Sequence, residues 1–234
     1  MSATTAPHPG HSLVFTFRGQ SFLPLISGAL YWPSRETLIV ADLHLGKFAS
    51  FARAGQLLPP YDTTTTLHAL ERDLEVTGAR AVLSLGDSFH RDESLAMLTE
   101  RDVRHLESLA RRVRWTWIAG NHDPKPHRLG GTCCAEIGIE TLSFRHEPRA
   151  GADGHVAGHL HPAARVAMNG KATRRPCFVW DDNLMVLPAY GASTGSLNIL
   201  SPAFAGLFDR ASRKVMVIGR DQVYPVGANR LVNG

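Results

Sequence analysis

Three apolar runs in this sequence each end on side chains that bind metal ions. Residues 37–44, TLIVADLH, close on Asp42 and His44. Residues 81–87, AVLSLGD, close on Asp87, and residues 113–123, VRWTWIAGNHD, close on Asn121, His122 and Asp123. The donors are oxygens and imidazole nitrogens, the set that hard and borderline divalent cations prefer. A buried strand that ends on Gly86-Asp87 puts its carboxylate at the carboxyl edge of a sheet, where open α/β sheets bind ligands. Asp87 is the candidate bridge between two such ions, because a carboxylate offers two oxygens and an imidazole one lone pair.

More ligand types follow downstream. His146 stands alone, and Gly158-His159-Leu160-His161 sets two imidazoles two residues apart. Residues two apart on an extended strand share a face, so Asp42 with His44, and His159 with His161, are each expected to reach a common ion. The glycines before Asp87, Asn121 and His159 are expected to permit tight turns at strand ends.

The elements that must position these groups read as follows. Alternation over 13–18 predicts a strand, and 29–32 and 37–41 predict a hairpin around Pro33-Ser34-Arg35. A short helix is expected over 47–54, stopped by Gly55. Asp62 or Thr63 is the expected N-cap of a second helix, whose stripe Leu67, Leu70 and Leu74 ends at Gly78. After the strand at 81–85, Asp92 or Ser94 is expected to start one helix carrying Leu95, Leu98, Leu106, Leu109 and Val113, followed by a strand at 114–119. This alternation predicts an α/β sheet. Beyond Asp123 the runs shorten into strands at 140–144, 155–157, 184–187 and 215–218. A hairpin is expected at 165–180 around Asn169-Gly170, and residues 204–208 are expected to form one helical turn.

Composition sets limits. The 234 residues, 44% hydrophobic and 20% charged, suit a soluble globular chain. Residues 1–11 are expected to be a disordered tail and 12–234 one domain. No apolar stretch approaches the ~20 residues of a membrane span, and the N-terminus lacks the regions of a signal peptide. Three cysteines, two of them adjacent, form no disulfide framework, and they read as small apolar fillers in a reducing cytoplasm. A net charge of +4 and a pI near 9.2 permit a polyanionic partner without requiring one.

Taken in order, Asp42-x-His44, Gly86-Asp87, Gly120-Asn121-His122-Asp123, His146 and Gly158-His159-x-His161 resemble the motifs of the calcineurin-like binuclear metallophosphoesterases. The resemblance implies a β-sandwich flanked by helices, an α/β (α+β) fold. It implies one cation held by Asp42, His44, Asp87 and His161 and another held by Asp87, Asn121, His146 and His159. The water or hydroxide between the two would attack phosphorus. It also implies that His122 assists the leaving group, oriented through its other ring nitrogen by Asp123.

Finer features are similar to a bacterial branch, the ligase-associated DNA damage response endonucleases. These are residues 41–47, 86–90 and 158–162, then Leu187-Pro188-Ala189-Tyr190-Gly191 with Thr194-Gly195. The branch implies two Mn2+ ions, with Fe or Zn as alternatives that also suit the ligands. It implies single-stranded DNA as substrate, and association with a DNA ligase, an Lhr-type helicase and an exonuclease.

Substrate contacts are expected from Lys47, His90, Arg145 and Arg175. Arg149, Arg165, Lys171 and Arg174 add to a basic cluster, and Phe178, Trp180 and Tyr190 are candidate stacking surfaces. Two other readings stay open: a small-molecule phosphodiesterase or phosphatase, and a non-catalytic scaffold on the same fold.

Overall fold

The computed structural model describes residues 13–53, 55, 61–168 and 170–233. The expected tail at 1–11 and Asn169 of the hairpin turn lie outside the described residues. The first sheet runs in chain order: β1 (Phe15–Phe17), β2 (Gln20–Pro24), β3 (Leu30–Trp32), β4 (Thr37–Val40), β5 (Ala81–Leu85), β6 (Arg114–Ile118) and β7 (Thr132–Cys134). Strands β1 to β4 pair antiparallel, and β4 to β7 pair parallel. Helices α1 (Lys47–Arg53) and α2 (Asp62–Thr77) lie between β4 and β5 in sequence, and α3 (Glu100–Arg112) between β5 and β6.

The second sheet contains β8 (Glu136–Ile139), β9 (Leu142–Arg145), β10 (His155–Ala157), β11 (Pro162–Met168), β12 (Lys171–Trp180), β13 (Leu184–Val186), β14 (Leu197–Asn198), β15 (Lys214–Ile218) and β16 (Val223–Pro225). Its order is β14-β11-β12-β13-β10-β9-β8, with β15 pairing β12 and β16.

Strand alternation builds the layers. In β4, Ile39 packs with Trp32, Leu83, Phe144, Val156 and Trp180 in the core between the sheets. Its neighbours Leu38 and Val40 pack with Leu67, Leu70, Leu106 and Leu109 of the helices. A strand covered on both faces reads as a continuous apolar run, which is why residues 37–40 and 81–85 stand out in the sequence. β12 divides likewise: Phe178 and Trp180 face the sandwich, while Cys177 and Val179 face a third cluster with Ile199 and Phe204. The fold is thus a β-sandwich with helices over one sheet.

Several local expectations change. Tyr61, not Asp62 or Thr63, precedes α2, and it makes no side-chain cap. Asp62 instead accepts from the Phe48 N–H at 3.0 Å, and Thr63 from the Gly46 N–H at 2.8 Å, so both serve the start of α1. Gly78, at φ 66°, closes α2 as expected.

The single helix expected from Asp92 is two. A 3-10 segment, Asp92–Met97, ends at extended Leu98. Then Thr99 caps α3 by accepting from the Asp102 N–H at 3.1 Å. The strand expected at 140–144 is a hairpin of β8 and β9 that turns at Glu140, and the helical turn expected at 204–208 is a 3-10 turn at Pro202–Phe204. The cysteines are unpaired, and Cys133 is exposed rather than an apolar filler. Among the described residues no helix is long and apolar enough to cross a membrane.

Candidate metal centre

The backbone carries the first sign of a site. Asp42 (φ 55°), His44 (φ 46°), Asp87 (φ 47°), His159 (φ 71°) and His161 (φ 44°) are all left-handed. This conformation costs roughly 1–3 kcal/mol in a residue other than glycine and gathers at functional sites. Strand β4 stops at Val40 and β10 at Ala157. The two D-x-H and H-x-H pairs therefore do not share a face by strand alternation, as their spacing suggested. Each is brought round by two left-handed residues flanking Leu43 or Leu160. Hydrogen bonds hold the turns: His44 N–H to Asp87 O at 2.9 Å, Gly191 N–H to Asp42 O at 3.2 Å, and His159 N–H to the Asp42 carboxylate at 2.9 Å.

The glycines act mainly through closeness. Gly86 has φ 80°, and a Cβ there would lie 2.5 Å from the His146 ring. A Cβ on Gly120 would overlap the Asp87 carboxylate, and one on Gly158 would lie 2.7 Å from Asp42 Oδ2. At Gly120 and Gly158 the need is close approach rather than a tight turn.

The side chains form two groups whose donor atoms lie within 4.8 Å of one another: Asp42, His44 and His161, and Asp87, His146 and His159. In the first, His44 Nε2 and His161 Nε2 are 3.3 Å apart, and His161 Nε2 is 3.5 Å from Asp42 Oδ1. In the second, His146 Nε2 is 3.1 Å from His159 Nδ1, 2.8 Å from Asn121 Oδ1 and 3.3 Å from Asp87 Oδ1. Asp87 faces both groups, with Oδ1 toward His146 and Oδ2 3.8 Å from His44 Nε2. The donor set fits two divalent cations: ring nitrogens aimed at one another can share a cation, and each group adds a carboxylate.

Anchors behind the rings fix which nitrogen faces inward. His146 Nδ1–H donates to Leu85 O at 2.9 Å, and His161 Nδ1–H to Gly195 O at 3.1 Å. A carbonyl behind a ring in this way orients an imidazole ligand and fixes its tautomer. His44 has no such anchor, since its Nδ1 is buried without a partner.

Burial, aided by the neighbouring His161 and His122, pushes His44 down to about 3 against the pull of Asp87. Burial alone would raise Asp87. Its hydrogen bond and charge attraction to His146, with the His122 N–H and His44, instead bring it down to about 2. His146 rises to about 9, because Asp87 and Asp42 outweigh its burial. This corner therefore favours an ionised carboxylate beside positive charge.

His122 stands at the rim, with Nε2 3.9 Å from Asp87 Oδ2 and a side chain 38% exposed. Its Nδ1–H donates to the His90 carbonyl at 2.8 Å. The expected orienting partner, Asp123, is elsewhere: its oxygens accept the N–H groups of Phe89 (3.0 Å) and Gly120 (3.1 Å). Asp123 pins the turn, and burial raises it to about 6. His90 packs on His122, with ring centroids 5.4 Å apart and planes at 26°. Burial, with His122 and Lys47 nearby, lowers His90 to about 4.

The other expected contacts divide. Lys47 Nζ donates to Ser193 O at 2.8 Å, within electrostatic reach of His44 and His90. Arg145 lines a cavity of about 230 Å³ with Asn121 and His146, and pairs with Glu136 at 3.6 Å. Arg175 does not join them. It lines a separate cavity with Lys171, Tyr224 and Arg230. Phe178, Trp180 and Tyr190 are buried, so they are core residues rather than stacking surfaces.

One positioning segment had no legible signal of its role. Residues 187–195 cross from the second sheet to the first: Tyr190 N–H meets Ala41 O, Ala192 N–H meets Thr66 Oγ1, and Gly195 O receives His161.

Comparisons with known proteins agree with this geometry. The family model described as calcineurin-like phosphoesterase matches residues 36–149. Among solved structures, Pseudomonas putida nuclease MPE is 28% identical, over 92% of this chain and 100% of that one, with a TM-score of 0.71. Yfce, a phosphoesterase from E. coli, is 12% identical over 84% of this chain and 96% of that one, with a TM-score of 0.38. No curated protein sequence matches. The five motifs in order, the match over residues 36–149 and the shared fold agree: this chain carries a calcineurin-like phosphoesterase domain and has the metallophosphoesterase fold, of a family that uses two divalent metal ions.

Proposed function

We propose that this enzyme is a divalent-metal-dependent nuclease that hydrolyses phosphodiesters of single-stranded DNA. The observation that carries the reading is the meeting of seven donors, Asp42, His44, Asp87, Asn121, His146, His159 and His161, in two groups that Asp87 joins. The likeness to the Pseudomonas putida nuclease supports a nucleic acid as substrate.

Asp42, His44, Asp87 and His161 would hold one cation and Asp87, Asn121, His146 and His159 the other; Mn2+ is the proposed ion. When bound, such a pair supplies a water nucleophile near neutral pH and charge to offset the phosphate oxygens. The chain's own residues do the rest. The His90 carbonyl occupies His122 Nδ1–H, so His122 exchanges its proton at Nε2, beside the leaving oxygen. Lys47 and Arg145 offer positive charge to flanking phosphates. Cleavage of this kind fits a role in DNA repair, where a ligase, an Lhr-type helicase and an exonuclease would handle the ends.

A rival has its own support. Burial of Phe178, Trp180 and Tyr190 removes the expected stacking platform, which favours a nucleotide-sized diester. The test supplies Mn2+, Fe2+ or Zn2+ in turn to purified protein with single-stranded DNA, duplex DNA and a generic aryl diester. Salt-sensitive cutting of single strands, strongest with Mn2+, is expected. Turnover of the aryl diester alone would overturn the proposal.

A further inference from the structure

A second place on the molecule gathers metal-binding side chains, away from the strand ends. Helices α2 and α3 pack side by side in parallel. Thr64 Oγ1 donates to Asp102 Oδ1 at 2.7 Å near their starts, and Arg112 Nη1 donates to Glu71 Oε1 at 2.9 Å further along. Leu67, Leu70, Leu74, Leu106 and Leu109 make the apolar seam beneath.

On the outer rim of that seam stand His68, Glu71 and His105, with donor atoms within 4.8 Å of one another. His68 and Glu71 are three apart on α2 and so are neighbours on its surface. Glu71 Oε2 lies 3.1 Å from His105 Nε2 and 3.9 Å from His68 Nδ1, and the two rings are 5.0 Å apart.

We propose that His68, Glu71 and His105 form a binding site for a single borderline divalent transition-metal ion of the zinc class, separate from the candidate metal centre, that clips α2 to α3. Three features support it. Two imidazoles and one carboxylate make a donor set that suits Zn2+, Ni2+, Co2+ or Cu2+ better than Mg2+, Ca2+ or Mn2+. Glu71 is held from behind: Arg112 occupies Oε1 and leaves Oε2 turned to both rings, the arrangement that orients a carboxylate ligand. The frame needs no reorganisation, because regular helices and a buried leucine seam fix the spacing. The His68 side chain is 50% exposed, which leaves the outer coordination position to water. An ion here binds the folded chain and links two helices, so it stabilises by mass action.

Zinc binding to the full-length chain tests this, with bound Zn2+ counted by equilibrium dialysis and elemental analysis. His68→Gln with His105→Gln should bind one equivalent fewer than the unaltered chain. It should also lose the matching zinc-dependent rise in Tm and keep its Mn2+-supported hydrolysis. Arg112→Gln should weaken that equivalent about 10-fold. Unchanged stoichiometry in the double variant would overturn the site. A second arm does not depend on how that variant folds. Co2+ added to Asp87→Asn, whose strand-end centre is impaired, should still give the visible absorption of histidine-bound cobalt, and absence of that band would also overturn the site.

Discussion

The two sheets bring unlike donors to the same place. The first supplies both carboxylates, the amide of Asn121 and one imidazole, from turns after β4, β5 and β6. The second supplies only imidazoles, His146, His159 and His161, from turns after β9 and β10. Neither sheet alone completes either group. The Asp42 and His44 pair needs His161 from across the sandwich, and the His146 and His159 pair needs Asp87. Formation of the centre is therefore coupled to packing between the sheets.

Asp87 is where that coupling concentrates, and it gives the largest expected effect. Asp87→Asn removes the charge that both groups share and replaces one of the two acceptor oxygens by an NH2 donor. Turnover should fall by about 10⁴-fold, about 5.5 kcal/mol, and bound metal should fall in both sites. Steady-state rates on a generic diester, with metal analysis, check it. Full activity in this variant would mean that the two sheets' ligands do not depend on a shared carboxylate.

The packing itself is tested one layer down. Phe144 is fully buried between the sheets and meets Trp32 at a ring separation of 5.9 Å. Phe144→Ala should cost about 3–5 kcal/mol and reduce metal affinity, because it loosens the contact that brings His146 to Asp87. Leu70→Ala, in the core under the helices, should cost about 2–5 kcal/mol with metal affinity kept. Urea melts and metal titration of both variants separate the cases, and equal metal loss would erase the distinction between the two cores. His122→Ala comes next: about 10²-fold less turnover, about 2.7 kcal/mol, with metal content unchanged. A loss of metal there would make His122 a ligand.

The sequence displayed the ligands better than the means of presenting them. Residues 37–40 and 81–85 were legible as strands because both faces are covered, and Asp42 and Asp87 follow them closely. The left-handed turns at Asp42, His44, His159 and His161 were not legible. Long-range hydrogen bonds impose them, such as His44 N–H to Asp87 O and Gly191 N–H to Asp42 O, and no local residue preference announces them. Phe178 and Trp180 misled for a related reason. β12 is buried on both sides near its end, so an aromatic that lines a core looks the same in sequence as one that faces a ligand. Thr99, three before Asp102, was a readable cap, hidden by an apolar spacing that runs on through Leu98.

The smallest expected effect concerns the strap that follows β13. Tyr190, in the segment that crosses from the second sheet to the first, donates its O–H to Asp73 Oδ2 of α2 at 2.8 Å, in a buried pocket. Burial raises the Asp73 pKa above its usual 3.8, although hydrogen bonds from Ser27 and Tyr190 and the charge of Arg72 oppose it. The folded chain then holds this proton more tightly than the unfolded one. Stability from this group is full below the unfolded pKa and declines as pH rises through the folded one. Asp73→Asn keeps an acceptor for Tyr190 and gains a donor for Ser27, without a charge to desolvate. At neutral pH its stability should equal or exceed that of the unaltered chain by up to about 1 kcal/mol. Its stability should also decline less as pH rises from the unfolded value of 3.8 to neutrality. Urea melts across that range decide it. Parallel pH profiles would show that the two regions are tied here by the hydrogen bond alone, and that the charge on Asp73 carries no cost.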